Sequence, residues 1–301
     1  DDPECDDLLL QGDYTVSRPA DAGYLLGYRE VTGTLTIDTP HLTHLYDLAD
    51  LRRVGGLSII NNVDLTSAKV LSLETISGDL TINGNDALNN IELPSLTDVG
   101  GNLYIDGNDA LTSLSIDSLT DVGAELAISG NNALTSLSID SLTDVGVNLV
   151  IAENGALTSL SIDSLTDVGE GLYIDGNDAL TSFSIDSLTD VGTHLWIQHN
   201  DAITSFSLDS LTDVGADLAI WYNSAITSFS LDSLTRVGTE LAISGNNALT
   251  SFSLDSLTDV GEGFYIVENG ALCQSIVDAF VSVMESLGWS GSVETSGNLE
   301  C

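Results

Sequence analysis

The chain has 301 residues, with 46 Asp and Glu against six Lys and Arg, a formal net charge of −40. A field of that sign repels nucleic acid and anionic membranes, so neither is expected as a partner; cations, basic proteins or salty surroundings suit it better. No apolar run reaches the ~18 residues of a membrane-spanning helix, so no transmembrane segment is expected.

Residues 1–30 do not repeat and are read as an N-terminal cap. Asp13-Tyr14-Thr15-Val16 has the composition of a short strand. Ser17-Arg18-Pro19-Ala20, followed by Tyr24-Leu25-Leu26, carries an N-cap, a proline in the first turn and a short helix. A helix there would cover the open end of whatever follows.

From residue 31 to 272 one unit repeats. Leu103 recurs as Leu126, Leu149, Leu172, Leu195, Leu218, Leu241 and Phe264, every 23 residues, and backwards as Leu80 and Leu57. A fixed period of this length predicts a solenoid, in which one coil cannot bury its apolar face without its neighbours. Leu103 and Ile105 alternate with other residues, so a strand is expected with those two facing inward. Gly107-Asn108-Asp109 is turn chemistry, Leu111 re-enters the core, and Leu114 with Ile116 and Leu119 with Val122 form two further inward pairs. Gly123 is expected to allow the corner into the next coil. Phe183, Phe206, Phe229 and Phe252 replace the leucine of one inward position in four consecutive coils and read as core packing.

Residues 273–301 form the C-terminal cap. Ile276, Val277, Phe280, Val283, Met284 and Leu287 fall at helical spacing, and Gly288 stops the helix. This amphipathic helix is expected to lie across the last full coil, with Ser292-Val293-Glu294-Thr295 as a final strand. Cys273 lies nine residues after Phe264, and Cys301 eight after Val293. Those similar offsets would stack the two sulfurs, so a Cys273–Cys301 disulfide and an oxidising compartment are expected. Cys5 is left over, as an unpaired thiol or a covalent link to another chain.

The pattern Val-Gly-x-x-Leu-x-Ile-x-x-Asn-x-x-Leu-x-x-Leu, with a helix at each end and the terminal cysteines, resembles the receptor L domain. That family is the leucine-rich-repeat-like right-handed β-helix of the insulin and epidermal growth factor receptor ectodomains. The likeness is closest to its long, regular bacterial secreted versions and covers essentially the whole chain. It implies a mostly β, right-handed parallel β-solenoid, here of about 13 coils counted from the repeat, with a helix capping each end. Receptor L domains have about half as many coils and irregular loops, and no cysteine-rich module follows here, so receptor signalling is not implied. A start at Asp1 without methionine fits a processed secreted chain.

Stacking sets identical polar residues in rows. Asn62, Asn85, Asn108, Asn131, Asn154, Asn177, Asn200, Asn223, Asn246, Asn269 and Asn298 form a ladder expected to satisfy turn backbone groups. Asp117, Asp140, Asp163, Asp186, Asp209, Asp232 and Asp255 form one acidic row. A second runs from Asp98 through Asp121, Asp144, Asp167, Asp190 and Asp213 to Asp259, interrupted by Arg236. Like charges at the ladder spacing of about 4.8 Å repel by roughly 0.9 kcal/mol even in water. Such rows are either solvated, salt-screened ladders or weak Ca²⁺ sites, Ca²⁺ being the one cofactor considered. An ice or mineral template is a poor fit, because Ser115, Asp117 and Ser118 dominate the row where a Thr-x-Thr face would be needed.

The coils differ in the outward positions of the first strand: Tyr104, Ala127, Val150, Tyr173, Trp196, Ala219, Ala242 and Tyr265. Tyr173, His194, Trp196, His199, Trp221 and Tyr222 cluster there and are the candidate ligand or partner contact. No catalytic residue is expected. The four histidines fall into two distant pairs without metal-site spacing, and neither a nucleophile elbow nor a phosphate loop is present. The reading is a non-enzymatic structural or adhesive protein of the cell surface that associates with copies of itself, possible filaments included. The alternatives are a recognition module for glycan or protein on the first-strand face, and a Ca²⁺-dependent surface protein.

Overall fold

Alternating burial builds the same element in every coil. Leu103 and Ile105 are buried while Tyr104 and Asp106 are half-buried, the period-two signature of a strand with one face inward. In the computed structural model, which describes residues 8–301 apart from the side chain of Asp47, this Leu103–Asp106 strand pairs in parallel with Leu80–Asn83 and Leu126–Ser129. Cys5 lies outside the described residues. The register of 23 holds as far as Gly263–Val267. A second strand, Ser113–Ser115, and a two-residue third, Asp121–Val122, complete the coil. The protein is a parallel β-solenoid with three strands per turn.

The first-strand position is occupied thirteen times, from Tyr14–Val16 to Ser292–Glu294. The two end rungs lie in the caps, which leaves about 11 complete turns where the repeat alone suggested 13 coils. Near the N-terminus the chain is less divided: Tyr28–Ile37 and Arg53–Ile60 each run through the third- and first-strand positions in one strand. From Thr75 onward a corner splits the two. That corner glycine is needed for a reason other than conformational freedom. Gly123 has no positive φ, but a Cβ on it would press into the carbonyl of Gly100, and the clash recurs at Gly146, Gly169 and Gly192. Consecutive corners touch backbone to backbone.

Helix α1 (Pro19–Ala22) and the 3-10 turn Gly23–Leu25 cap the N-terminal end, burying Ala22 and Leu25. The N-cap is Arg18 and not Ser17; the Asp21 carboxylate accepts the backbone N–H groups of Ser17 and Arg18 at 3.3 and 3.0 Å. A further strand, Leu8–Leu10, pairs with the start of Tyr28–Ile37. At the other end α2 (Gln274–Ser286) buries Val277 and Met284. Phe280 meets Phe252 and Phe264 edge-on at 5.5 and 5.2 Å, closing the column of stacked phenylalanines that begins at Phe183. The cover is incomplete, because Ile276, Val283 and Leu287 are 38%, 56% and 54% exposed. Cys273 and Cys301 are joined by a disulfide, their Cα atoms 5.7 Å apart. Among the described residues no helix is long and apolar enough to cross a membrane.

The asparagine ladder ties the turns together. Asn154 donates from Nδ2 to the carbonyls of Ile128 and Ala152 at 2.9 and 3.0 Å, and to Asn177 Oδ1 at 3.3 Å. Its own Oδ1 accepts the backbone N–H of Asn131 at 3.1 Å. The same set recurs from Asn62 to Asn269, all fully buried, and Asn298 receives the last rung. An orphaned buried backbone group costs about 1–3 kcal/mol; Asn154→Ala orphans the Asn131 N–H and also removes the amide bonds to the Ile128 and Ala152 carbonyls. Chemical denaturation is expected to show a loss of about 3 kcal/mol for Asn154→Ala, and less for Asn298→Ala at the open end.

Candidate functional site

The first-strand face combines three outward rows. In the row after each inward leucine stand Tyr173, Trp196, Ala219, Ala242 and Tyr265, paired rung to rung. Two residues on come Asp175, Gln198, Trp221, Ser244 and Val267. Next comes the turn residue, which has positive φ in every coil: Gly107, Gly130, Gly176 and Gly245, but also Glu153, His199 and Tyr222. A left-handed conformation costs a residue with Cβ about 1 kcal/mol or more relative to glycine. His199 and Tyr222 therefore sit at a strained position that half of the coils give to glycine and others to Asn61, Glu153 and Glu268, in the same two turns that carry Trp196 and Trp221.

The six candidate residues are brought together on this face. Tyr173 meets Trp196 edge-on at 5.2 Å, and Trp196 lies 6.1 Å from Trp221 with planes 29° apart. His199 stacks on Tyr222 at 5.4 Å with planes 15° apart. Glycines make room for the rings: a Cβ at Gly171 would run into the Tyr173 ring, and one at Gly245 into the Tyr222 ring. His194 packs 5.5 Å from Trp196, with Nδ1 3.2 Å from Asp217 Oδ2. The angle there is not that of a hydrogen bond, so His194 Nδ1 stays buried without one, as does Trp196 Nε1. His199 Nδ1 reaches Asp175 at 3.2 Å, and Gln198 donates to the same carboxylate at 2.9 Å.

Beside the shelf lies a trough of about 290 Å³ between Trp221 and Tyr222 on one side and Tyr265 and Val267 on the other. Its floor is Ala242 and Ser244, and Glu240 stands at its end. Sequence reasoning named Tyr265 and Ala242 as outward residues without seeing that the small pair opens a depression between large ones. Burial, with Asp217 and Glu262 nearby, pushes the Glu240 carboxyl above its usual range. Burial also raises the Tyr173 hydroxyl, helped by Glu170 and Glu125.

The acidic rows have a different structure from the shelf. Asp140 accepts Ser161 Oγ at 2.5 Å from the next coil and Ser138 Oγ at 2.8 Å from its own. Ser184 and Ser253 bond Asp163 and Asp232 in the same cross-coil way, as Ser230 bonds Asp209 at 2.6 Å. Asp117 and Asp186 show no such bond to the next coil, and at those two junctions the second-strand ladder also breaks into separate three-stranded sheets. Serine hydroxyls thus occupy both carboxylate oxygens of Asp140 and one each of Asp117, Asp163 and Asp232 in the row considered for Ca²⁺. Among the described residues no group of three or more His, Cys, Asp or Glu converges on a point. The threonine rows are engaged as well: Thr120, Thr143 and Thr166 each donate to the threonine carbonyl one coil below at 3.1 Å. Arg236 interrupts the second acidic row by binding both Asp213 oxygens at 3.1 Å, with Asp259 at 3.7 Å on its other side.

No family model matches the chain, and no curated protein matches it. A crystallised leucine-rich repeat protein from Bacteroides ovatus is similar at 13% identity, over 97% of this chain and 92% of that one, with a TM-score of 0.22. A likeness that low carries no inference to this chain.

Serine hydroxyls hold Asp140 and Asp209 below the usual carboxylate range, whereas burial next to Asp144 and Asp190 holds Asp167 above it. A depressed carboxyl adds stability above its unfolded pKa of 3.8 and loses it as pH falls through the lower folded value. A raised one is destabilising when ionised, and protonation on the way down relieves that cost. The melting temperature is therefore expected to rise on acidification from neutral to about pH 4.5 and to fall below about pH 3.5. A scanning-calorimetry profile in buffers of equal ionic strength checks this; a monotonic fall from pH 7 contradicts it.

Proposed function

We propose that the protein is a non-enzymatic extracellular adhesion protein that holds a glycan on its first-strand face. The observation that carries this reading is the half-exposed shelf of Tyr173, Trp196 and Trp221 opening onto the trough floored by Ala242 and Ser244. A flat aromatic face is electron-rich and receives the weakly positive C–H face of a sugar ring, while Ser244, Glu240 and Gln198 supply polar groups for its hydroxyls. The charge of −40 selects neutral or basic sugars over acidic ones. The disulfide agrees with an oxidising, extracellular setting. The finer assignment, a receptor L domain of the long secreted kind, rests on the repeat pattern and the capped ends. Trp196→Ala and Trp221→Ala are each expected to weaken binding to glycans found on an array at least tenfold, with the melting curve unchanged. Binding that survives both substitutions removes the shelf from the proposal.

A second reading is association of copies through the repetitive rows, and the sameness of those rows over many coils favours it. Carboxylates at ladder spacing on both partners oppose it unless cations lie between, so this reading contains the Ca²⁺ dependence. Light scattering across a concentration series is then expected to show assembly with Ca²⁺ and dissociation with chelator at fixed ionic strength. A monomer under both conditions, with and without reductant, excludes it.

A further inference from the structure

The apolar side of α2 that the last coil leaves bare is a second surface, at the end of the rod and separate from the aromatic shelf. Between α2 and the final turn runs a groove of about 480 Å³, walled by Phe252, Leu254 and Leu257 on the coil and Ile276, Val283 and Leu287 on the helix. Val283 and Leu287 are more than half exposed, side by side on one face of α2. Exposed apolar residues scattered singly need no explanation, but a contiguous groove of them marks a contact.

Three features define what fits. The helix wall runs from Ile276 to Leu287, twelve residues, whose eleven steps of about 1.5 Å span roughly 16 Å, or three turns. The helix wall offers side chains and no free backbone, since α2 is internally hydrogen-bonded, and the open edge of Ser251–Ser253 on the coil wall is only three residues long; a strand would gain a short ladder at best, whereas a helix can lay an apolar stripe into the groove. The third feature is charge. Twelve acids and five bases lie in residues 1–69, which leaves 34 acids against Arg236 alone for the rest, and no Lys or Arg follows Arg236. Asp255 stands in the groove itself, and α2 carries Asp278 and Glu285. A second copy would bring the same acids against these, and an anionic membrane is repelled for the same reason.

We propose that this groove binds a cationic amphipathic helix of a partner protein, about three turns long. Its apolar stripe lies between the phenylalanine column and α2, and its basic flank faces Asp255 and the α2 acids.

The test is fluorescence anisotropy of the full chain with a labelled three-turn leucine–lysine peptide whose leucines fall at helical spacing. The expected result is saturable binding that weakens at least tenfold for the double variant Val283→Ser, Leu287→Ser, and as much for a peptide of the same composition with its leucine pattern scrambled. Both replaced side chains point largely into solvent, so the variant keeps its fold, and an unchanged melting curve checks this. Equal binding of the scrambled peptide, or equal binding by the variant, shows charge attraction alone and overturns the proposal. So does a dimer of the chain that Val283→Ser dissociates, because the groove then belongs to a second copy.

Discussion

A hydrogen bond made by one side chain per turn holds the solenoid to its period. The carbonyls of Ile105, Ile128 and Ile151 lie at the end of the first strand, where the chain turns away, and besides the strand ladder each receives the buried asparagine amide of a following coil. Because each amide also accepts from the asparagine of the coil before it, the bonds form one chain along the rod. A coil with an extra residue between its leucine and its asparagine would break two rungs at once. The repeat is therefore regular because each turn completes the satisfaction of the next, and not because its surface must be identical.

Regularity has an electrostatic consequence. Once the period is set, the aspartates of the two acidic rows stand over one another at ladder distance, and a chain with six bases cannot neutralise them. Two local devices reduce the repulsion. In one row the serine two residues before each aspartate turns its hydroxyl to a carboxylate, often that of the coil below, and holds Asp140 and Asp209 in their ionised forms. In the other row Thr97 donates to Asp98, but Asp167 is left raised by burial and by its neighbours. Arg236 is the single direct answer there, spanning Asp213 and Asp259. The remaining field is left to the surrounding ions.

Most of this architecture is legible in the sequence because period, alternation and asparagine spacing all report the same stacking. The first-strand register from Leu57 to Phe264 follows from counting alone. The parts that are not legible depend on contacts that periodicity does not encode. Helical spacing identifies Ile276, Val283 and Leu287 as apolar, but not that the last coil fails to cover them. The Leu8–Leu10 strand lies in a segment with no repeat to align, and its partner is set by the geometry of Tyr28–Ile37. Ser161 and Asp140 are both simply polar until a rotamer joins them. The left-handed turn is intermediate: aligning His199 and Tyr222 with Gly107 and Gly245 exposes the substitution, yet only the backbone angle shows that it is strained.

That strain bears on where contact chemistry can occur on such a rod. On the second- and third-strand faces the polar side chains are already partners in the stack: threonine hydroxyls donate down to carbonyls, and serine hydroxyls to carboxylates. A ligand there would have to displace bonds that hold the coils together. The outward rows of the first strand carry fewer such bonds, as from Gln198 to Asp175 and from Ser129 to Asp106, and their rungs are held chiefly by backbone pairing and by the asparagines beneath. Side chains on this face are free to vary, and here two coils set aromatic rings over glycines of their own or the next turn and accept a left-handed His199 and Tyr222 beside Trp196 and Trp221. The coincidence of strain, ring stacking and an adjoining trough in the same two or three turns is what separates this patch from the rest of a repetitive surface.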